Sequence, residues 1–545
     1  MRKIKFLFPV LFLGLFACDN YLDVNQNPSR LPFSEVGPEK LLPAAQVSTY
    51  AVQNVTMNQL GNVFMNSWGA NVQQYTGGWA REYQLLVDNS FYSGIFENLY
   101  LNVNNFQKII EAPNPNGQND YFVAVAKIMK AHYMQYLVDL YGDVPYTEAF
   151  KGVENITPAY NDDQFVYRQL LNELDDARDI ILNSTTADDI SQYDVMLAGN
   201  MQDWFNFANT IELRYLVRMS NSTGAVAAYR DQRANDLVNV YGGTFITSDV
   251  SINPGYSLNN DAQTNPFFLN FLASAAGTAT QNYSFIAPTA HYYKALSTYA
   301  AYPTAAPSTE IISGSGVNYP NVNDPRRLRI FRNGASQSVF RGVTQGSTVV
   351  DMYPPGQAPG IPGRIGLGIY NPYNQTAATT VLDFAVNDGY VMLLAEAEFL
   401  QAEAALRWPA LFSNAQGHFQ NGIAASCAFH SVASTAYITA INTKVKFGWT
   451  GSFDDKLHAI MYQKWIALMG VHGIESFIEY NRTGYPLTPL ATSASQTRKP
   501  RRLVYPLTEY IANTQNVPMI TQSQVFATTD SSHPFWMLGD PALGN

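Results

Sequence analysis

Gly117-Gln-Asn-Asp-Tyr-Phe-Val-Ala-Val-Ala-Lys-Ile-Met-Lys-Ala-His-Tyr-Met-Gln-Tyr-Leu-Val-Asp-Leu-Tyr141 is the stretch whose reading decides the fold class. Phe122, Val125, Met129, Tyr133, Tyr136 and Leu140 recur at spacings of three or four, laying one apolar stripe along an α-helix. Gly142 follows where helices stop, and Pro145 stands just beyond. The same period returns over about 163–183 in Tyr167, Leu170, Leu174, Ala177 and Ile181. Helices are also expected near 40–66, 90–111, 199–221 and 224–240. A second block opens with Val391, Ala395, Phe399, Ala402 and Leu406, followed by a helix near 413–430. Leu457, Met461, Trp465 and Leu468 then mark a helix running toward Arg482, with Gly484 and Pro486 as its stop signal. Adjacent helices of this length point to stacked helical hairpins, although the letters hold no strict repeat. The fold class is mainly α.

Between the helical blocks the composition changes. Over residues 301 to 380, Pro and Gly together are about twice as frequent as in the chain as a whole. Turns, short strands and loops are expected there. An insertion of this length inside a compact protein usually carries function.

The N-terminus reads MRKIKFLFPVLFLGLFAC. Arg2, Lys3 and Lys5 precede an apolar run from Phe6 to Phe16. As a helix that run spans about 17 Å, short of the ~30 Å bilayer core, so it reads as a secretory signal and not an anchor. Leu15-Phe16-Ala17-Cys18 resembles the lipobox of bacterial lipoproteins, which implies that Cys18 receives a thioether-linked lipid and becomes the mature N-terminus. Residues 19 to 38 form an extended, Pro-punctuated lead-in. The other cysteine, Cys427, then has no partner, and an exported chain without a disulfide relies on its core alone. Cys427 lies in the apolar, Ala-rich run Ile423–Phe429 and reads as an inert buried thiol. After Cys18 no apolar run is long enough to cross a bilayer as a helix.

The formal net charge is −10. Without residues 1–17 the balance is 30 Lys+Arg against 43 Asp+Glu, or −13. A nucleic-acid or anionic-lipid surface needs clustered positive charge, so neither partner is expected. Charged residues make up 14% of the chain, whereas Tyr numbers 34 and Phe 31. Rings and amides suit a neutral polar ligand such as sugar, because rings stack on sugar faces and amides pair with hydroxyls. The seven histidines are scattered, and no HExxH, P-loop, GxGxxG or GxSxG string occurs, so neither metal nor cofactor is expected. A helical glycoside hydrolase would need two facing carboxylates, which one sequence leaves open. Glu396, Glu398 and Glu403 invite that reading. On an Ala-rich helix, however, 396 and 403 are better placed as a polar seam against neighbouring helices.

Trp68-Gly-Ala-Asn-Val-Gln-Gln-Tyr-Thr-Gly-Gly-Trp-Ala-Arg-Glu-Tyr83 is non-periodic and follows the first long helix. Trp68, Tyr75, Trp79, Tyr83, Phe91 and Tyr92 make the stretch from 68 to 92 nearly twice as aromatic as the chain as a whole. Gly77-Gly78 breaks any helix and can present Tyr75, Trp79 and Tyr83 from a loop, with Asn71, Gln73 and Arg81 as hydrogen-bonding neighbours. Aromatic platforms flanked by amides hold a neutral glycan. Trp68, at the helix end, is expected in the core. A second candidate set is Tyr353, Tyr370, Asn371 and Tyr373 in the Pro/Gly-rich stretch.

Seven strings, in this order, resemble the SusD/RagB family of outer-membrane nutrient-binding lipoproteins, in particular its SusD-like branch. They are Cys18-Asp-Asn-Tyr-Leu-Asp-Val-Asn-Gln-Asn-Pro28, Tyr141-Gly-Asp-Val-Pro-Tyr-Thr-Glu-Ala149, Asn323-Asp-Pro-Arg-Arg327 and Leu393-Leu-Ala-Glu-Ala397, then Gln463-Lys-Trp-Ile-Ala-Leu468, Asn481-Arg-Thr-Gly-Tyr-Pro486 and Arg502-Leu-Val-Tyr-Pro506. The resemblance implies tetratricopeptide-like helical hairpins packed against an irregular, loop-rich lobe. It implies one domain over 39–545, with helical blocks at about 39–240 and 389–483 and the lobe at about 243–385. It also implies a lipid-anchored protein on the outer membrane, facing the exterior, that acts as lid and ligand-binding partner of a TonB-dependent SusC-type barrel. Such pairs import glycans and sometimes peptides, and the loop after the first helix often contributes to the ligand site. A binding protein and not an enzyme is therefore expected. The alternatives are a peptide-binding member, a helical glycoside hydrolase, and a structural surface lipoprotein.

Overall fold

The computed structural model describes residues 36–72, 75, 78–298, 319–332, 342–347, 363–370, 381–537 and 539. Eleven helices carry the architecture: α1 Pro38–Ala51, α2 Asn58–Phe64, α3 Gly94–Ile110, α4 Asp120–Tyr141, α5 Asp163–Asn183, α6 Met201–Arg218, α7 Gly224–Asn239, α8 Leu394–Arg407, α9 Ala415–Phe429, α10 Phe453–Leu468 and α11 Gly473–Thr483. In the first block α3 packs on α4, α4 on α5, α5 on α6 and α6 on α7; in the second, α8 packs on α9 and α10, and α10 on α11. Two contacts close the blocks on each other, α8 against α6 and α11 against α2. Local chemistry fixes several starts: Asp162 accepts from the Phe165 N–H, Asn200 from the Gln202 and Asp203 N–H groups, and Ser452 with Asp455 forms a capping box.

The helix that decides the fold class is more deeply placed than its stripe foretells. Nearly the whole circumference of α4 from Phe122 onward is buried, including Lys130, His132, Gln135 and Asp139. A helix buried all round sits at the centre of the molecule, and its polar residues must find internal partners. Gly142 ends it at φ 75°, a left-handed angle that suits glycine, and its N–H donates to the Val138 carbonyl at 2.8 Å.

Two expected helices are interrupted. The one near 40–66 passes through a π-helical turn at Val52–Met57. The helix expected to run from about 457 to 482 breaks at 469–472, where Gly470 adopts φ 73°. The reason lies on α2, whose buried asparagines take up the freed backbone. Asn62 Oδ1 accepts from the Gly470 N–H at 3.0 Å, and Asn58 Nδ2 donates to the Gly470 carbonyl at 2.9 Å. Asn58 Oδ1 also accepts from the Gly473 N–H at 3.0 Å. Here α2 and α11 approach through two glycines, and a methyl on Gly61 would land on the Gly473 and Ile474 backbone. In an exposed helix Gly→Ala stabilises by about 1 kcal/mol, but overpacking against backbone costs about 1–3 kcal/mol. Gly61→Ala is expected to destabilise the protein by about 1 kcal/mol net, read as a lower urea midpoint. A stabilised variant would refute the close approach.

The lobe is built from short pieces, as its composition demands. Strand Val250–Ile252 pairs with Gly389–Met392, and Phe331–Arg332 with Arg364–Ile365. One-turn and two-turn helices lie at Pro266–Phe271, Gln281–Phe285 and Ala290–Leu296. Phe267, Phe268, Phe271, Tyr292 and Phe331 of the lobe share one buried apolar cluster with both helical blocks. Cys427 is buried within it, and burial pushes its thiol up to about 11, the Arg326 charge pulling only partly back, so it stays protonated.

Candidate functional site

The aromatic loop leaves α2 and is pinned at once. Trp68-Gly-Ala70 pairs antiparallel with Ile286-Ala-Pro288 of the lobe. Trp68 is buried, edge-on to Phe271 at 5.1 Å. Asn71 is buried too, its N–H donating to the Phe285 carbonyl at 2.7 Å and its Nδ2 to the Ser284 carbonyl at 3.0 Å. Tyr83 lies beneath the loop, with its hydroxyl accepting from the Ala70 N–H at 2.9 Å. Asn71 and Tyr83 therefore brace the loop and offer little surface. Arg81 points outward into an ion pair with Asp88 at 2.6 Å.

Tyr75 and Trp79 are the half-buried members. Both meet Phe285 edge-on, at 5.6 and 4.8 Å between centroids, and Trp79 also stacks on Trp68 at 6.5 Å. Gly78 lies so close to Phe285 that a Cβ there would collide with its ring. Trp79 holds φ 54°, and Asn66, Leu85 and Tyr92 are also left-handed, so four of the ten such non-glycine residues among those described fall within 66–92. Each costs of order 1 kcal/mol or more and persists where the surroundings over-determine it, a pattern that clusters at ligand sites.

The lobe adds residues that sequence reasoning missed: Tyr283, Phe285, Arg332 and Arg364. Arg332 donates to the Tyr283 hydroxyl, and Arg364 Nη1 to the Tyr283 carbonyl at 2.8 Å. Both guanidinium groups approach the Tyr283 ring, at 5.6 and 5.5 Å. Arg364 is close enough to feel the Tyr75 hydroxyl. Of the second candidate set only the backbone of Tyr370 is described, at the end of the one-turn helix Leu367–Tyr370 that follows Arg364–Ile365. Gln73, Tyr353, Asn371 and Tyr373 lie outside the described residues, as does Cys18.

The carboxylates of α8 occupy a different place. Glu403 forms two hydrogen bonds with Arg482, both 2.7 Å, and one with Arg407 at 2.6 Å. Glu396 Oε2 lies 3.3 Å from His472 Nδ1 and its other oxygen 3.7 Å from Arg214. Burial pushes the Glu396 carboxyl up, but His472, Lys464 and Arg214 together hold it down at about 2. Arg218 completes the centre, binding Glu475 at 2.7 and 2.8 Å, Glu479 at 2.9 Å and Asp139 at 3.1 Å. These are ionised, sealed groups that tie α4, α6, α8, α10 and α11 together. A general acid needs a raised pKa and access to substrate, and neither Glu396 nor Glu403 has them. Asp143, Asp162 and Asp163 converge within 4.8 Å, yet each already accepts a backbone N–H, from Asp163, Phe165 and Phe535 respectively. That leaves the trio a turn-fixing role.

The chain belongs to the SusD-like family: the family profile described as starch-binding, associating with outer membrane, matches residues 30–250 and 279–506. No curated protein sequence matches it. Among solved structures, a chitin-binding SusD homologue from Flavobacterium johnsoniae superposes with TM-score 0.64 at 21% identity, covering 87% of this chain and 94% of its own. A SusD homologue from Parabacteroides distasonis gives 0.68 at 18% identity over 93% and 98%. A SusD-like protein from Bacteroides thetaiotaomicron gives 0.64 at 20% over 88% and 94%. At these identities the likeness is one of fold, and it is the mainly α, tetratricopeptide-like fold with its packed lobe. Among the described residues no helix is long and apolar enough to cross a membrane.

Proposed function

We propose that this protein is a surface lipoprotein that captures glycan on the loop bearing Tyr75 and Trp79 and passes it to a TonB-dependent SusC-type barrel without cleaving it. One observation carries the reading: a half-exposed tryptophan is held at a left-handed backbone angle by Trp68 and Phe285, as a preformed platform for a sugar face. The family description and a chitin-binding relative of the same fold support the ligand class. Titrating the purified chain with starch, chitin and other oligosaccharides, while chromatographing for products, tests it. Binding with no product release is the expected result. Turnover that disappears when one Asp or Glu is replaced would make the protein a hydrolase.

Anchoring has its own test. One acyl chain gives marginal binding, whereas the several chains of a lipoprotein anchor hold stably. Cys18→Ala is expected to move the protein from the outer-membrane fraction to the soluble one, and the mature N-terminus should carry the lipid mass. An unmodified Cys18 in membrane-bound protein would refute lipidation.

A further inference from the structure

A second hollow lies beyond the aromatic loop, where Val87–Asn89 faces the C-terminal stretch 504–522. Its volume is about 570 Å³, within the range of small-molecule sites. Hydrogen bonds to backbone carbonyls fix its walls. The Leu507 N–H donates to the Asn89 carbonyl at 3.0 Å and the Tyr510 hydroxyl to the Pro518 carbonyl at 3.2 Å. Asn513 and Asn516 donate through Nδ2 to the carbonyls of Pro158 and Thr157, at 2.8 and 2.9 Å. The shape is therefore set before a ligand arrives, which spares the ordering cost of binding.

The lining differs in kind from the platform. Val87, Val504 and Val517 are buried along it, with Ile520 half-buried and Met519 exposed beside them. Tyr510 is the one ring among the described lining residues. Branched aliphatic groups give a sugar ring no π face to stack on, but they take a methyl group well. Next to this apolar wall stand polar groups with unused capacity. Asp88 receives Arg81, the Ser90 N–H and the Ser90 hydroxyl all on Oδ1, at 2.6, 2.8 and 2.8 Å. Its Oδ2 has no partner among the described residues, and neither have the side-chain amides of Asn89 and Gln522. Arg81 balances the Asp88 charge, so the hollow suits a neutral ligand.

An acetamido group brings what this lining lacks: a methyl, one N–H donor and one carbonyl acceptor. We propose that the hollow is a second sugar subsite, which takes a neutral N-acetylated amino sugar. The acetyl methyl lies against Val504 and Val517, the N–H donates to Asp88 Oδ2, and the carbonyl accepts from the Gln522 amide. A sugar with hydroxyl in place of acetamido would set that hydroxyl against the valines without a partner, at a desolvation cost. Peptides carry the same amide, and the choice of a sugar rests on the reading of the loop as a glycan platform. Arg81, the partner of Asp88, stands two residues after Trp79, so the hollow and the platform share one edge.

The test is calorimetric titration of the purified chain with N,N′-diacetylchitobiose and with cellobiose, which carries hydroxyls in place of the acetamido groups. The acetylated disaccharide is expected to bind about 10-fold tighter, the worth of one buried methyl and one hydrogen bond. Two variants outside the aromatic loop address the hollow. Thr514 is exposed on its rim, and Thr514→Trp should fill it and abolish the preference. Gln522→Ala removes an exposed amide and should reduce the preference at least about 3-fold, with the melting temperature unchanged. Gln522→Ala decides alone if Thr514→Trp does not fold. Trp79→Ala should leave the preference standing. Equal binding of the two sugars, or a preference that survives either hollow variant at full strength, overturns the inference, as does a preference that Trp79→Ala removes. Binding of N-acetyl-valyl-valine amide in place of the sugar makes the hollow a peptide site and also overturns it. Maltohexaose, titrated into the native chain and into Trp79→Ala, tests the platform separately, so the glycan reading can stand where the subsite fails.

Discussion

Arg218→Met is expected to lower the free energy of unfolding by about 3–5 kcal/mol, because it leaves buried carboxylates without their shared cation. Arg218 is fully buried and bonds to Asp139, Glu475 and Glu479 at once. Lys464, at 3.2 Å from Glu475 and 3.1 Å from Glu479, would remain, as would Arg482 beside Glu479, but Asp139 would lose its ion-pair partner. The loss should depend on pH. Burial raises Asp139 to about 6, with Arg218 and the Tyr167 hydroxyl pulling it back. A carboxyl whose folded pKa lies above its unfolded one contributes stability below the unfolded value and loses it as pH rises through the folded value. Without Arg218 the Asp139 pKa rises further, and the depressed pKa of Glu475 rises too. Protonation then relieves the buried charge more easily in acid. The penalty of Arg218→Met, measured by urea unfolding, should therefore be larger at pH 8 than at pH 5. A loss below about 1 kcal/mol at pH 8 would show that the network is not what joins the helices.

The same network explains what was legible from the letters. Periodicity located the long helices because a stripe at spacings of three and four survives whatever packs on it, as with Leu170 and Leu174. Among the described residues, strings behind the family resemblance turn out to be joints of the scaffold. Arg326 of Asn323–Arg327 bonds to Gln463 of Gln463–Leu468 at 2.8 Å. Tyr505 of Arg502–Pro506 donates to the carbonyls of Tyr141 and Asp143 at 3.0 and 2.6 Å. Glu396 and Arg482 sit in the ionic centre. Strings of this kind report the fold and are silent on the ligand. The break at Gly470 was not legible, since its cause is Asn58 and Asn62, some 400 positions away, taking over its backbone. For the site, the local density of aromatics and Gly77-Gly78 single out Tyr75 and Trp79. Nothing local could separate Tyr83, buried under Ala70, from Trp79, half-exposed on Phe285. Phe285, Arg332 and Arg364 were invisible because only the pairing of 68–70 with 286–288, and of 331–332 with 364–365, brings them there.

Trp79→Ala should reduce glycan affinity about 5- to 150-fold, the loss of one stacking contact of roughly 1–3 kcal/mol at the centre of the site. The structure sets the accompanying stability change between two limits. A loop aromatic free of the core would cost almost nothing to remove, whereas a fully buried one costs about 3–5 kcal/mol. Trp79 is half-buried, with one face on Trp68 and its flank on Phe285, so an intermediate loss of about 1–2 kcal/mol is expected. Its left-handed backbone supplies a control. Alanine keeps the strain at φ 54°, while glycine relieves it, so Trp79→Gly should recover part of the stability and none of the affinity. Calorimetric binding and thermal unfolding on the two variants separate the roles of the ring. If affinity holds while stability falls by the full core value, Trp79 is packing and the sugar lies elsewhere. If affinity falls while glycine restores stability, the backbone is strained to present the ring, and the ring is what meets the ligand.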